Sequence, residues 1–234
     1  MINEKNWNLL NQEFLAAEPF NHVVVDDFWH PDVASQLFAE FPAYDSDQWT
    51  FYHNVLEDKK TCNQWDKFPI ATYRAFDYLM SDDFLKVVRQ ITGITDLHGD
   101  IGLHGGGWHA HSKGGKNNIH LDYDIHPKLG KQRKVNIIIY MTPQWNAEWE
   151  GGLELWTHDE ARNQPAECAK LVENKFNRAV IFDTTQNSWH GLPKELKCPP
   201  GVVRRSLAAY YLTTPPATAT DRKRALFAPY GCLL

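Results

Sequence analysis

The chain has 234 residues, of which 43% are hydrophobic and 23% charged, with a formal net charge of −5 at pH 7. This is the composition of an ordinary soluble globular protein, and the acidic balance argues against a general nucleic-acid-binding protein. No apolar run approaches the roughly 18 residues of a membrane span, and residues 1–10 lack the apolar core of a secretory signal. The four cysteines, Cys62, Cys168, Cys198 and Cys232, contain no C-x-x-C pair. We therefore expect a cytoplasmic protein with reduced thiols and with neither a membrane nor a nucleic-acid partner.

The N-terminal part is predicted to be mainly helical. An apolar stripe of Trp7, Leu10 and Phe14 predicts a helix over residues 3–17. Further helices are predicted over residues 31–41, 68–80 and 82–91, and a short β-branched strand over 22–25. Residues 49–66 are polar and aromatic, which favours a long loop or an irregular hairpin near the functional site. We interpret the helices as a scaffold packed against a sheet.

After Gly99 the pattern changes to short strands separated by turn residues. Strands are predicted over residues 101–103, 107–111, 118–122, 135–141, 151–156, 179–182 and 204–212. Strands of this kind after a helical region predict an α+β fold, a β-sandwich or jelly roll buttressed by helices. We expect one domain over residues 1–234, with helical support mainly in 1–98, the jelly-roll core in about 99–213 and a C-terminal tail in 214–234.

A candidate metal site begins at His120 and Asp122. Two residues that are two apart on a strand point to the same face, so an imidazole and a carboxylate are directed at one point. His190 follows on a later strand and supplies a second imidazole. Two histidines and one carboxylate form the facial ligand set of non-haem Fe(II) enzymes.

A candidate anion site lies on the last predicted strand. Alternation places Arg204 and Ser206 on one face and Arg205 on the other. An unpaired buried guanidinium is costly, so Arg204 inside a barrel requires an anion such as a carboxylate. On the strand over 135–141, Asn136 and Tyr140 share one face, and the Tyr140 hydroxyl is a further candidate donor.

The order of these motifs resembles the Fe(II)/2-oxoglutarate-dependent dioxygenases, in particular their prolyl-hydroxylase-like branch. The matching motifs lie between residues 99 and 213 and are His120-Leu121-Asp122, Asn136 to Tyr140, Gly151-Gly152-Leu153-Glu154-Leu155, Asn177-Arg178, His190-Gly191-Leu192-Pro193 and Arg204-Arg205-Ser206. The resemblance implies a double-stranded β-helix with Fe(II) held by His120, Asp122 and His190. It also implies that 2-oxoglutarate is bound by Arg204 with help from Tyr140, Asn136 and Ser206, and that ascorbate is a supporting reductant.

The expected reaction is hydroxylation of an unactivated C–H bond with O₂, releasing succinate and CO₂. The prime substrate is expected to be a small molecule or an amino-acid residue, free or within a peptide, and the sequence predicts no oligomeric state. Two alternatives stay open, a cupin-like metal-binding protein or isomerase without O₂ chemistry and a catalytically silent family member.

Other residues near the motifs leave choices open. Arg205 is a second candidate for the carboxylate, because the connection between His190 and the arginine pair is longer than in many relatives. His104, His109, His111 and His126 are interpreted as exposed or hydrogen-bonded loop residues rather than as a second metal site. Asp124 with His126 is the main rival metal pair, and it is disfavoured because the turn over 127–132 follows at once.

Three further groups of residues have an ordinary structural interpretation beside a functional one. Arg133 and Lys134, before the strand over 135–141, could hold an anionic group of the substrate or form a solvated charge pair in a loop. Four tryptophans flank the proposed mouth, where packing in the core or rim is favoured over contact with substrate: Trp108, Trp145, Trp149 and Trp189. Asn177-Arg178 is interpreted as a turn into a strand, with a structural role.

Overall fold

The structure, a computed structural model, describes residues 1–229, so Cys232 and the end of the predicted tail lie outside it. The helices are α1 (Trp7–Ala16), α2 (Pro31–Ala39), α3 (Ile70–Met80) and α4 (Asp82–Thr92). The strands are β1 (His22–Val25), β2 (Thr50–His53), β3 (Glu57–Cys62), β4 (His98–Gly99), β5 (Gly107–His111), β6 (Lys116–Leu121), β7 (Gln132–Tyr140), β8 (Leu153–Asp159), β9 (Gln164–Val172), β10 (Ala179–Asp183), β11 (Trp189–Leu192), β12 (Arg204–Thr213) and β13 (Leu226–Phe227).

The strands form one antiparallel sheet that nearly closes into a barrel. Its order is β1-β10-β7-β12-β5 in one layer and β6-β11-β8-β9 in the other, and β3 pairs with both β5 and β6. Strands β13, β2 and β4 add to β6, β3 and β12 respectively. This is a jelly-roll core with helices on one side, so the predicted fold class is confirmed.

Side chains that alternate along β7 lie in two different environments, one on each face of the sheet. Val135, Ile137 and Ile139 belong to the hydrophobic cluster that also contains the buried residues of α3 and α4. Tyr140, from the other face of β7, packs with residues of β8, β9 and β10. The helices therefore cover the outer face of the first layer, while the inner face is left to form a cavity between the layers.

Two polar links fix the helical side to the barrel. The Asn177 side chain accepts a hydrogen bond from the Trp29 amide at 2.8 Å and donates to the Trp29 carbonyl at 2.8 Å. Arg178 pairs with Asp26, with Nε 2.6 Å from Oδ1, and this hydrogen bond lowers the pKa of Asp26 to about 2. The predicted structural role of Asn177-Arg178 therefore has a physical basis, because both residues bind the segment after β1.

Some elements differ from the prediction. Residues 101–103 form a turn rather than a strand, since the Leu103 amide bonds to the Asp100 carbonyl and the Asp100 carboxylate accepts from the His104 amide. Residues 50–62 form a regular β2–β3 hairpin, and the exposed strand β9 has no counterpart in the prediction. Cys62, Cys168 and Cys198 are free thiols. None of the helices within residues 1–229 has the length and apolar character required to cross a bilayer.

Candidate metal centre and co-substrate cavity

Three ligand-type side chains meet on the inner face of the second layer. His120 lies on β6, Asp122 directly follows that strand, and His190 lies on β11 at the register position opposite His120. His120 Nε2 is 3.9 Å from Asp122 Oδ1, and His190 Nε2 is 3.9 Å from Asp122 Oδ2. Their ligand atoms all lie within 4.8 Å of one another, and all three residues are buried. Within residues 1–229 this is the one cluster of its kind.

Both imidazoles are oriented for metal binding by the same local contact. His120 Nδ1 lies 2.7 Å from the Asn118 carbonyl, and His190 Nδ1 lies 2.8 Å from the Ser188 carbonyl. Because a carbonyl oxygen can only accept, each Nδ1 carries the proton and each Nε2 directs its lone pair inward. Burial lowers the pKa of His120 to about 3 and also lowers that of His190, so both rings are neutral at pH 7.

Arg133 holds the carboxylate between these imidazoles. Its Nη1 is 3.2 Å from Asp122 Oδ1, and its Nη2 donates to the His104 carbonyl at 2.6 Å. The guanidinium lies between two aromatic rings, 3.3 Å from the Tyr123 centroid and 3.4 Å from the Tyr210 centroid. Burial raises the pKa of Asp122, but Arg133 lowers it, and the net shift is downward. The carboxylate is therefore ionised, with Oδ2 buried and not hydrogen-bonded to any described residue.

Sequence reasoning considered Arg133 only as a possible substrate contact or as half of a solvated loop pair with Lys134. The structure corrects this, because Arg133 is 2% exposed on β7 and is bound to Asp122. Its neighbour Lys134 faces away and pairs with Asp183 at 2.7 Å. Strict alternation would place Arg133 on the same face as Val135, but a register shift at this end of β7 turns its side chain into the cavity, so no sequence signal indicates its position.

The predicted anion site lies in the same cavity as the three ligand-type side chains. Arg204 and Ser206 on β12 and Asn136 on β7 line this cavity, whose volume is about 700 Å³. Arg204 is 2% exposed, donates from Nε to the Gly151 carbonyl at 2.7 Å, and pairs with no carboxylate among residues 1–229. Tyr140 lies beside it, with the Arg204 Cζ atom 5.0 Å from the ring centroid. A buried guanidinium without a counter-ion fits an anionic ligand at this position.

Arg205 points the other way, as alternation along β12 predicts. Its guanidinium lies 5.4 Å from the Phe38 ring centroid, on the helical side of the sheet. The register of β12 against β5 pairs Arg204 with His111 and Ser206 with His109. Arg205 is therefore separated from the cavity that contains the other candidate residues.

Of the four additional histidines, His109 and His111 lie on a strand and not in a loop as predicted. His109 and His111 lie on β5 and line the cavity, which corrects the interpretation of both as loop residues. Neither ring nitrogen of the buried His111 is hydrogen-bonded within residues 1–229. His126 approaches Asp100 at 3.5 Å, whereas Asp124 binds Gln132 and Thr220. Asp124 and His126 therefore do not form the rival metal pair.

Two segments, the β2–β3 hairpin region and residues 105–115, form the outer part of the cavity. From the hairpin region, Tyr52, Glu57, Lys59 and Asn63 line it, and from residues 105–115, Gly105, His109 and His111 do so. The four tryptophans suspected at the mouth do not line it: Trp108 and Trp189 are core residues.

The C-terminal segment is also part of this site, which the sequence did not predict. Arg222 donates from Nε to the Asp122 carbonyl at 2.9 Å. Strand β13 pairs with β6, and the Phe227 ring lies 5.2 Å from the His120 ring. Residues Lys223, Arg224, Ala225 and Phe227 line the cavity. The region assigned to a tail outside the core therefore contributes a wall of the site.

A comparison with known protein families finds a match over most of the jelly-roll core. Residues 106–212 match the model of the 2OG-Fe(II) oxygenase superfamily. The chain carries a 2OG-Fe(II) oxygenase domain. The matched range of this oxygenase contains His120, Asp122, His190 and Arg204, and the resemblance given by its motifs is confirmed. Fe(II) and 2-oxoglutarate are its cofactor and co-substrate, and the cupin-like alternative is not favoured.

Solved structures share the fold of this oxygenase at low sequence identity. A Pseudomonas putida prolyl-4-hydroxylase is 16% identical with a TM-score of 0.60, covering 89% of this chain and 100% of that chain. A Trichoplax adhaerens prolyl hydroxylase, solved with a hypoxia inducible factor peptide fragment, is 16% identical with a TM-score of 0.57, covering 90% and 94%. HygX from Streptomyces hygroscopicus, solved with nickel, 2-oxoglutarate and hygromycin B, is 10% identical with a TM-score of 0.56, covering 93% and 96%. No curated protein matches this chain in sequence.

The contact between Arg133 and Asp122 gives a first testable prediction for the oxygenase. Arg133→Met keeps an unbranched apolar stem between Tyr123 and Tyr210 but removes the charge that holds the carboxylate. We expect Fe(II) affinity to fall about 10- to 100-fold, the usual effect of removing a partner of a metal ligand. Titration of the iron-free protein with Fe(II) measures this. Lys134→Met is the matched control, because Lys134 pairs with Asp183, and equal losses in both variants would contradict the role given to Arg133.

Proposed function

We propose that this oxygenase hydroxylates an unactivated C–H bond of a polar small molecule or amino-acid residue, with Fe(II) held by His120, Asp122 and His190. The observation that carries the proposal is the combination, in one cavity, of two neutral, inward-directed imidazoles, an ionised carboxylate and a buried arginine that pairs with no carboxylate among residues 1–229. These three residues would hold Fe(II) from one side, which would leave other positions on the ion for co-substrate and O₂.

The chain's own residues prepare the cavity for this reaction. The carbonyls of Asn118 and Ser188 fix the tautomers of the two histidines, and Arg133 keeps Asp122 ionised. Arg204 and Ser206 on β12 are proposed to hold the distal carboxylate of 2-oxoglutarate, assisted by Tyr140 and Asn136. When bound, Fe(II) and 2-oxoglutarate supply the chemistry, in which the co-substrate is decarboxylated to succinate and CO₂ and one oxygen atom of O₂ passes to the substrate.

The substrate is proposed to be a small polar molecule rather than a large partner surface. A volume of about 700 Å³ lies within the range of about 300–1,000 Å³ that is common for small-molecule sites. The outer lining combines the aromatic ring of Tyr52 with the charged side chains of Glu57, Lys59 and Lys223. A substrate with hydroxyl, amino or carboxyl groups matches these partners better than an apolar one.

Turnover of 2-oxoglutarate tests the reaction before the substrate is known. We expect the iron-loaded protein to form succinate in air, even when uncoupled from a substrate, and to stop when Zn²⁺ replaces Fe(II). Mass spectrometry of candidate amino acids and saccharide derivatives with ¹⁸O₂ then identifies the product by its single labelled oxygen. A protein that binds Fe(II) but neither binds nor consumes 2-oxoglutarate would support the cupin-like alternative instead.

A further inference from the structure

The turn before β8 contains a residue with a strained backbone. Glu150 follows a single 3₁₀ turn (Ala147–Trp149) and has φ 63° and ψ −157°. This region of backbone conformation is occupied almost only by glycine. The next residue, Gly151, also has a positive φ of 86°. A non-glycine residue keeps such a conformation only where the surrounding structure imposes it, and residues of this kind are concentrated at functional sites.

Three hydrogen bonds hold Glu150 in this conformation. Its carbonyl accepts from Trp145 Nε1 at 2.8 Å, and its amide donates to the Ala147 carbonyl at 3.1 Å. Its carboxylate accepts from Lys197 Nζ at 3.1 Å, but the Lys197 side chain is 67% exposed, so water screens this ion pair. The Glu150 carbonyl belongs to the peptide group that leads into Gly151. The indole N–H of Trp145 is therefore the contact that fixes the direction of that peptide group.

The carbonyl of Gly151 in turn fixes the side chain of Arg204. Arg204 Nε donates to it at 2.7 Å in a buried hydrogen bond. Because Nε is used in this bond, the guanidinium can bind a carboxylate only through its terminal nitrogens Nη1 and Nη2. A β-carbon at Gly151 would lie 3.2 Å from Arg204 Cδ and 2.7 Å from Leu196 Cδ2. Glycine therefore satisfies two requirements at this position, the positive φ and the close approach of the arginine.

We propose that Trp145 and Gly151 are positioning residues for the binding of 2-oxoglutarate. Trp145 fixes the turn at Glu150, and the turn places the Gly151 carbonyl where it orients the Arg204 guanidinium before the co-substrate arrives. Neither Trp145 nor Gly151 lines the 700 Å³ cavity, so both act through Arg204. A side chain that is already ordered loses less conformational entropy on binding, which increases affinity. The inference rests on the proposed role of Arg204 in holding the distal carboxylate.

Equilibrium binding tests the proposal without turnover. 2-Oxoglutarate is titrated by calorimetry into the Fe(II)-loaded protein in the absence of O₂. We expect Trp145→Phe, which removes the indole N–H, to weaken binding about three- to tenfold, and Gly151→Ala to weaken it at least about tenfold. The Fe(II) affinity and the melting temperature of Trp145→Phe should stay at the wild-type values, which a general structural defect would not allow.

Trp149→Phe is the matched control for Trp145→Phe. Trp149 is also half-buried and packs against Trp145 with ring centroids 5.3 Å apart. Its indole N–H has no hydrogen-bond partner among residues 1–229, so the same change of ring removes no such contact. We expect Trp149→Phe to bind 2-oxoglutarate with wild-type affinity.

A double-mutant cycle shows whether the effect passes through Arg204. In the Arg204→Ala background, Trp145→Phe is expected to cause no further loss of 2-oxoglutarate binding, because no guanidinium is left to orient. Wild-type affinity in Trp145→Phe, an equal loss in Trp149→Phe, or the same loss with and without Arg204 would overturn the proposal. A wild-type protein that binds Fe(II) but not 2-oxoglutarate would instead overturn the proposed function, and this inference with it.

Discussion

His190→Ala is expected to abolish Fe(II)-dependent conversion of 2-oxoglutarate to succinate while the domain stays folded. The substitution removes His190 Nε2, one of the three proposed ligand atoms, which lies 3.9 Å from Asp122 Oδ2. Loss of a partner that only orients a ligand already costs about 10- to 100-fold in metal affinity, so loss of the ligand itself should cost at least about 100-fold. His120→Ala and Asp122→Ala are expected to behave in the same way, as measured by Fe(II) titration and succinate formation.

His22→Ala is the matched control for these three variants. His22 is also buried and its Nδ1 lies 2.8 Å from the Phe20 carbonyl, the same contact to the residue two before it that His120 and His190 make. It belongs to β1 and is not a member of the ligand cluster. Thermal unfolding of all variants separates loss of fold from loss of metal. Full activity in any of the three ligand variants would remove that residue from the metal site.

Arg204→Ala is expected to raise the 2-oxoglutarate concentration required for half-maximal turnover by roughly ten- to a hundredfold or more. A charge-assisted hydrogen bond to a carboxylate contributes about 1.5–3 kcal/mol, and each 1.4 kcal/mol corresponds to about a factor of ten. Arg204→Lys should recover only part of this loss, because a point charge replaces a planar fork. Titration of 2-oxoglutarate against the wild type and the variants measures the effect.

Arg205→Ala provides the internal comparison on the same strand. Its guanidinium lies near Phe38 on the helical side, so the 2-oxoglutarate requirement should stay within about threefold of wild type. The reverse result, with Arg205→Ala impaired and Arg204→Ala normal, would contradict the assignment of the cavity-facing arginine. Ser206 is assigned to the cavity by the same alternation along β12. The same result would therefore also contradict its proposed role in binding 2-oxoglutarate.

The features that could be predicted from sequence are those set by short-range periodicity. His120 and Asp122 are two apart at the end of one strand, and Arg204 and Ser206 are two apart on another, so their faces follow from the geometry of an extended chain. His190 is predictable because it supplies a second imidazole on a later strand and completes the same type of ligand set. The β-branched run in β7 identified the strongest strand without any knowledge of its neighbours.

The features that could not be predicted depend on contacts between distant segments. Arg133 reaches Asp122 across the loop that separates β6 from β7, and nothing in its local pattern indicates that contact. Arg222 binds the Asp122 carbonyl from 100 residues further along the chain. The apolar residues Ile101 and Leu103 favour a strand, but the hydrogen bonds from the Leu103 and His104 amides to Asp100 hold residues 101–103 in a turn.

The two faces of β7 restrict how this oxygenase could diverge in evolution. A one-residue insertion within the strand would exchange Ile137 and Ile139, which pack against the helices, with Asn136 and Ile138, which line the cavity. Such an insertion would disrupt the hydrophobic core and the cavity together. We therefore expect evolution to conserve the lengths of the barrel strands more strictly than the identities of the residues within them. Changes of length are expected to be tolerated where no such exchange occurs, as at the tip of the β2–β3 hairpin or in the exposed residues 127–130. We therefore expect new substrate preferences to arise by insertions and deletions in these segments. Within the barrel strands, we expect them to arise by substitution only.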